Sequence, residues 1–258
     1  MEKAYIGVGG NLGDVMESFR RARDLLSEQG GISSLSSSRV FSTSPVGQNA
    51  GTGYLNAAFE IATSLGPLDL LDVLIQVEQA MQRKRHVHWG PRTIDLDLVF
   101  YGERLIQEAR LNVPHPAAWY RRFVLDPVAD LNSNVYHPTK EMTVTDLKQM
   151  LSRRPLRWLL LANDERIGTN LSEHLSDEFS GLIDITWRRI DEPGEMSSFE
   201  FIAWNIEQKL KVREGGIRFD DLPITSRLDV SLLTGDAYTA ITDVIKAATD
   251  EPVIVGAL

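Results

Sequence analysis

Cysteine is absent from the 258 residues, which excludes disulfides, thiolate catalysis and cysteine-ligated metal centres. Histidine is scarce, at five residues, and no pair of them has the spacing of a helical zinc site. There is no run of about 18 apolar residues, the length needed to cross a bilayer. No charged-then-apolar leader opens the chain, so a cytoplasmic protein without membrane contact is expected. No G-x-x-x-x-G-K-[ST] occurs anywhere, and after Gly7 and Gly9 the third glycine of a dinucleotide fingerprint would fall at Leu12, so neither a P-loop nor a Rossmann turn is present. Surplus positive charge is also missing: the formal net charge is −9, which argues against a nucleic-acid partner.

The composition, 43% apolar and 24% charged, is that of an ordinary globular chain with room for two modest domains. Its charge is unevenly placed. Residues 1–155 hold 17 Asp+Glu against 17 Lys+Arg, whereas residues 156–258 hold 19 against 10 and so carry the whole excess. Between them Arg153-Arg154-Pro155 closes a helical pattern from Thr145 to Leu151, because proline disfavours helix in its predecessor. The expected division is a first domain over 1–155 and an acidic second domain over 156–258.

The most informative stretch runs from His88 through Trp89-Gly90-Pro91-Arg92-Thr93 to Ile94-Asp95-Leu96-Asp97-Leu98-Val99-Phe100. From Ile94 it alternates apolar and acidic, as a strand with one buried face does, which places Asp95 and Asp97 side by side on the other face. Two carboxylates at that spacing, about 6–7 Å apart from the strand rise, repel one another unless a hard divalent cation and phosphate oxygens join them. Immediately upstream stand Arg83, Lys84, Arg85, His86, His88 and Arg92, six potential cations in ten residues. Cations for phosphate oxygens beside carboxylates for a metal are what phosphoryl transfer needs. Gly90-Pro91 breaks regular structure before the strand, so the basic loop can lie over a ligand.

Around this motif the pattern predicts a strand at Ala4–Val8 and a helix from Val15 to about Gln29, with Asp14 and Glu17 as a capping box. A loop or polar edge strand follows at Ser33–Ser38, then strands at Arg39–Thr43 and Tyr54–Ile61 and a helix over Pro67–Met81. Tyr54 and Asn56 share a strand face, an aromatic plane beside an amide that both donates and accepts. That pair suits a flat heterocycle, although the pattern alone favours a cross-strand Tyr packing pair with a surface Asn. Glu78 sits near its helix C-terminus, against the dipole, which suggests a cationic partner such as Arg83 or Arg85. His115, between two prolines, leads toward a helix carrying Arg121 and Phe123 and adds a donor suited to phosphate.

Taken together these residues resemble the 6-hydroxymethyl-7,8-dihydropterin pyrophosphokinase family of folate biosynthesis. His88-x-Gly90-Pro91-Arg92-x-x-Asp95-Leu96-Asp97-Leu98-Val99 fits its signature. Tyr5-Ile6-Gly7, Gly10-Asn11-Leu12-Gly13, Thr43-Ser44-Pro45-Val46-Gly47, Tyr54-Leu55-Asn56-Ala57-Ala58 and Val113-Pro114-His115 are similar to further landmarks, in order, over residues 3–150. The resemblance implies an α+β, ferredoxin-like domain that transfers a pyrophosphoryl group from ATP to the pterin's hydroxymethyl oxygen and releases AMP. It implies that Asp95 and Asp97 hold two magnesium ions, and that Arg83 and Arg92 are the main catalytic arginines, with Arg85 and His88 contributing from the lid. It implies a pterin between Tyr54 and Phe123, its edge read by Asn56 and by backbone at Thr43, Pro45 and Val46. Glu78, Trp89, Leu98, Arg110, His115 and Arg121 complete the implied nucleotide and lid contacts. The chain departs from the family in having His88 where an arginine is expected and Pro116 where an aromatic residue is common.

Residues 156–258 lie outside the resemblance. The pattern predicts strands at Arg157–Asn163, Leu182–Ile190 and Pro252–Gly256. Helices are expected at Gly168–Phe179 (capped by Thr169 or Asn170), Ser197–Lys211 and Asp236–Thr249. Strands alternating with helices point to a small three-layer α/β unit with a parallel sheet, read here as a structural or regulatory appendage. Asn163-Asp164-Glu165-Arg166 follows a strand, where such folds bind ligands. Two rival readings of the whole chain remain at this point, a magnesium-dependent phosphohydrolase and a non-catalytic nucleotide-binding protein.

Overall fold

The computed structural model describes residues 1–46, 53–81, 92–205 and 217–258. They form two units, one made of Met1–Lys148 together with Asp250–Leu258 and the other of Gln149–Thr249.

The first unit begins with β1 (Glu2–Gly10) and α1 (Val15–Ser27). Asp14 caps α1 by accepting the Glu17 N–H at 3.0 Å, satisfying one of the donors a helix start leaves open. α1 buries Val15, Phe19, Ala22 and Leu26, the three-and-four spacing of a single apolar stripe. The polar serine run is β2 (Ile32–Ser37), followed by β3 (Arg39–Thr43) and β4 (Tyr54–Thr63). α2 (Pro67–Ala80) starts on proline, whose missing N–H costs nothing there. Then come β5 (Asp95–Tyr101), the hairpin β6 (Ile106–Glu108) and β7 (Leu111–Val113), α3 (Arg122–Leu131), the short β8 (Tyr136–His137) and β9 (Met142–Thr143), and α4 (Val144–Leu151), within which the first unit ends at Lys148.

Within this unit β3, β4, β1 and β5 lie side by side in that order, every pairing antiparallel, and β2 shares the β4 edge with β3. Successive strand residues face opposite ways. Ala4, Ile6 and Val8 of β1, Ala57, Phe59 and Ile61 of β4, and Leu96 and Leu98 of β5 form one core with α1 and α2. The intervening positions, among them Gly7, Gly9, Asn56, Asp95 and Asp97, therefore turn to the other face. That division of faces places the site.

The second unit contains β10 (Leu156–Ala162), α5 (Glu165–Glu178), β11 (Ile183–Arg189), β12 (Phe201–Asn205), β13 (Arg227–Asp229) and α6 (Ala237–Thr249). Its four strands are parallel in the order β11-β10-β12-β13. Trp158, Leu159, Leu160 and Leu161 are all fully buried, as expected for a parallel strand covered on both faces. Leu159 and Leu161 pack with Ile202 and Trp204, while Trp158 stacks on Phe201 at 4.1 Å.

Three sequence expectations are corrected here. The helix expected over Ser197–Lys211 is, in its described part, a turn followed by strand β12, because a short run apolar on both faces does not distinguish a buried helix from a buried parallel strand. α5 begins at Glu165 and is capped by Asp164, which accepts the Ile167 N–H at 3.0 Å, so Thr169 and Asn170 lie inside it. The final strand, β14 (Val253–Ala257), is not part of the parallel sheet. It pairs antiparallel with β3 in the first unit, so residues 250–258 belong there and not to a domain over 156–258.

Candidate active site

Three strands place their outward residues in rows. Gly9 of β1 lies opposite Asn56 of β4 on one side and opposite Asp95 of β5 on the other, and Gly7 lies opposite Asp97. The two glycines therefore leave a bare backbone floor between an amide and two carboxylates. A Cβ on Gly9 would stand 3.1 Å from Asn56 Oδ1, and one on Gly7 would stand 3.2 Å from Val99. On this floor opens a cavity lined by Thr43, Ser44, Val46, Tyr54, Asn56, Arg92, Asp95, Asp97, His115, Arg121 and Phe123, among others.

Each wall has a local cause. Thr43 lies opposite Tyr54 across β3 and β4, and Asn56 Nδ2 donates to Thr43 Oγ1 at 2.7 Å in a buried position, which fixes the amide. Arg92 is anchored by its backbone: its N–H donates to Asn11 Oδ1 at 2.9 Å and its carbonyl accepts the Asn11 N–H at 3.0 Å. Its guanidinium pairs with Asp95. Among the described residues β5 is the outermost strand on its side of the sheet, and the Leu96 N–H, between the two aspartates, donates to the buried Glu78 carboxylate at 2.8 Å. An acid reaching from a helix thus covers a donor on an open strand edge. Arg121 holds its guanidinium 5.5 Å over the Phe123 ring.

The electrostatics are those of a partly dried cleft. Burial raises the Tyr54 phenol above its ordinary value, with Arg92 opposing and Asp95 adding to the shift. Burial, helped by Arg121 and opposed by Asp95, pushes His115 down to about 4. His115 Nδ1 accepts the Ala117 N–H at 3.2 Å, so at neutral pH the ring is an uncharged donor through Nε2. His137 is also pushed down to about 4, by burial and by Lys140. Unfolded, both rings titrate near 6.5, so the stability they contribute is present above that value and is lost as pH falls toward 4, where only the unfolded chain takes up the protons. Melting temperature is expected to drop as pH is lowered from 6.5 to 5, by roughly 1 kcal/mol of stability per pH unit for each histidine. His137→Gln should make the drop shallower; an unchanged slope would refute the assignment.

Of the residues singled out from sequence, the fold gathers Thr43, Val46, Tyr54, Asn56, Arg92, Asp95, Asp97, His115, Arg121 and Phe123 around one cavity. It does not bring all of them there. Leu98 packs in the core beneath the sheet, Arg110 is exposed and pairs with Asp72 of α2, and Pro45 is absent from the lining. Glu78 stands behind β5, supporting the strand. Arg83, Arg85, His88 and Trp89 lie outside the described residues, as do the cations suggested as partners of Glu78. Sequence reasoning missed Gly7, Gly9, Asn11 and Ser44. The glycines are legible by the same period of two that pairs the aspartates, but enter from sequence only as parts of a failed dinucleotide fingerprint and, for Gly7, as a landmark of the resemblance, with no place in the site.

The donor set around Asp95 and Asp97 suits a hard cation. Both are carboxylates, and no group of three or more potential ligands occurs among the described residues. Magnesium is commonly held by one or two carboxylates with water and substrate phosphates as its remaining ligands.

The model of the family described as 7,8-dihydro-6-hydroxymethylpterin-pyrophosphokinase matches residues 5–133. The 2-amino-4-hydroxy-6-hydroxymethyldihydropteridine pyrophosphokinase of Bacillus subtilis is 39% identical over 146 residues, 57% of this chain and 86% of that protein. The enzyme of the same name from Synechocystis is 38% identical over 144 residues, 56% of this chain and 73% of that one. The bifunctional protein FolKE of Lactococcus lactis subsp. cremoris is 42% identical over 144 residues, 55% of this chain, but the match spans only 41% of its length. On the match of the family model over residues 5–133 and on relatives matched over most of their length, the chain belongs to the 7,8-dihydro-6-hydroxymethylpterin-pyrophosphokinase family.

Proposed function

We propose that the cavity between Tyr54, Asn56, Phe123 and the aspartate pair is the place where a pterin alcohol meets the triphosphate of ATP. Membership of the family makes the chain an ATP-dependent diphosphotransferase of folate biosynthesis, acting on 6-hydroxymethyl-7,8-dihydropterin. The observation that carries the site reading is the convergence of an aromatic pair, a fixed amide and two carboxylates on one glycine floor. A phosphohydrolase has use for the carboxylates and none for the ring-binding residues.

In this reading the pterin lies between Tyr54 and Phe123, and Asn56, its amide oriented by Thr43, pairs with the heterocycle's edge. The hydroxymethyl oxygen attacks the β-phosphorus of ATP, the bond from that phosphorus to the α–β bridging oxygen breaks, AMP departs, and the hydroxyl proton is released. Asp95 and Asp97 would hold magnesium, two ions in the fullest form of the proposal, which when bound neutralises phosphate charge and aligns the reacting groups. Arg92, with Arg121 and the neutral His115, donates to phosphate oxygens. Arg83, Arg85, His88 and Trp89 belong to the same proposal as lid residues.

For the folds, the connection β1-α1-β3-β4-α2-β5 with strand order β3-β4-β1-β5 supports a ferredoxin-like first unit, and the parallel sheet with α5 packed on β10 and β11 supports the α/β character of the second unit. The pocket reading is tested by Asn56→Ala. Loss of a buried, oriented amide should raise KM for the pterin about tenfold or more while KM for ATP stays within about threefold; equal effects on both substrates would count against it.

A further inference from the structure

The strand edge next to the pterin loop is covered by a segment that the family match does not include. β3 would otherwise be an edge strand with open backbone groups, and β14 pairs with it, Val253 opposite Ser42, Ile254 opposite Phe41 and Ala257 opposite Arg39. The segment is anchored at its far end, where Leu258 packs against the first unit's core, and a Cβ on Gly256 would stand 3.3 Å from the Met16 methyl. At its near end Asp250, only 9% exposed, accepts the Ser44 N–H through Oδ1 at 3.3 Å. Its other oxygen is buried without a hydrogen-bond partner among the described residues. Ser44 lines the cavity, between Thr43 and Val46, which line it as well.

We propose that Asp250 is a positioning residue for the pterin pocket: through the Ser44 backbone it sets residues 44–46, which follow β3, while β14 fixes the strand from which they depart. A carboxylate with one oxygen buried and unpaired is costly to keep, and the bond to Ser44 is the contact its place in the fold provides. Burial raises its carboxyl above the ordinary value, and the Ser44 hydroxyl, the N–H groups of Ser44 and Glu251 and the charge of Arg122 work against that rise. Ser44 therefore takes its position from a residue 206 positions further along the chain.

This inference rests on the pocket reading above, and one experiment on the full chain separates the two. Steady-state kinetics of Asp250→Ala should show KM for the pterin raised about tenfold, with kcat and KM for ATP within about threefold of wild type. Asp250→Asn, which keeps an accepting oxygen, should recover most of the loss. If Asn56→Ala raises KM for the pterin and Asp250→Ala does not, the positioning role is overturned and the pocket stands. If neither does, both readings fall. Equal loss for both substrates with a lowered melting temperature overturns the proposal in favour of plain structural support. Hydrogen exchange of wild type gives a measure independent of variant folding: the Ser44 amide should be protected, and exchange at the rate of an unstructured peptide would also overturn it.

Discussion

Asp97→Asn is expected to lower pyrophosphoryl transfer, followed as pterin-dependent AMP formation, by roughly a thousandfold or more. Asp97 lies in the cavity on β5, and its neighbours Leu96 and Leu98 are held in the core. The strand is therefore fixed from behind, and an amide of the same shape removes charge without moving the backbone. Among the described residues Asp97 has no ion pair, whereas Asp95 is engaged by Arg92, so the loss falls on cation binding and not on a protein contact. Removing one of two adjacent like charges also relieves repulsion, and the variant should melt no lower than wild type. Activity near wild type would end the assignment of a metal to this pair.

The second large effect is expected at Arg92. Arg92→Ala should lower kcat about a hundredfold or more while KM for ATP changes less than about tenfold, the pattern of an interaction made chiefly in the transition state. The backbone of Arg92 is tied to Asn11 by two hydrogen bonds, so truncating its side chain leaves the start of β5 in place. Arg92→Lys separates charge from geometry: lysine keeps the charge but cannot reproduce a planar two-pronged donor, so most of the loss should persist. A rise in KM with kcat unchanged would make Arg92 an anchor for ATP and nothing more.

Much of the site was readable because strands have a period of two. That period put Asp95 with Asp97 and Tyr54 with Asn56, and the fold places all four around one cavity. The same period puts Leu98 on the buried side, against its inclusion among nucleotide contacts, and the core holds it there. Glu78 shows the limit of local reasoning. Its poor fit to the helix dipole was visible, but its acceptance of the Leu96 N–H depends on which strand ends the sheet, and no local pattern states that.

Local chemistry settled several of the elements of the first unit. Asp14 before Val15, proline at the head of α2 and the alternation after Ile94 each specify a conformation within a few residues, because caps, fixed φ angles and one-sided burial act at short range. Tertiary structure decided the partners. Whether Phe201–Asn205 became helix or strand depended on the flanks that β10 and β13 offered. Which sheet received Val253–Ala257 depended on the open edge of β3. Pairing of this kind is set by which backbone edges and apolar faces meet across long chain separations, information a neighbouring residue does not carry.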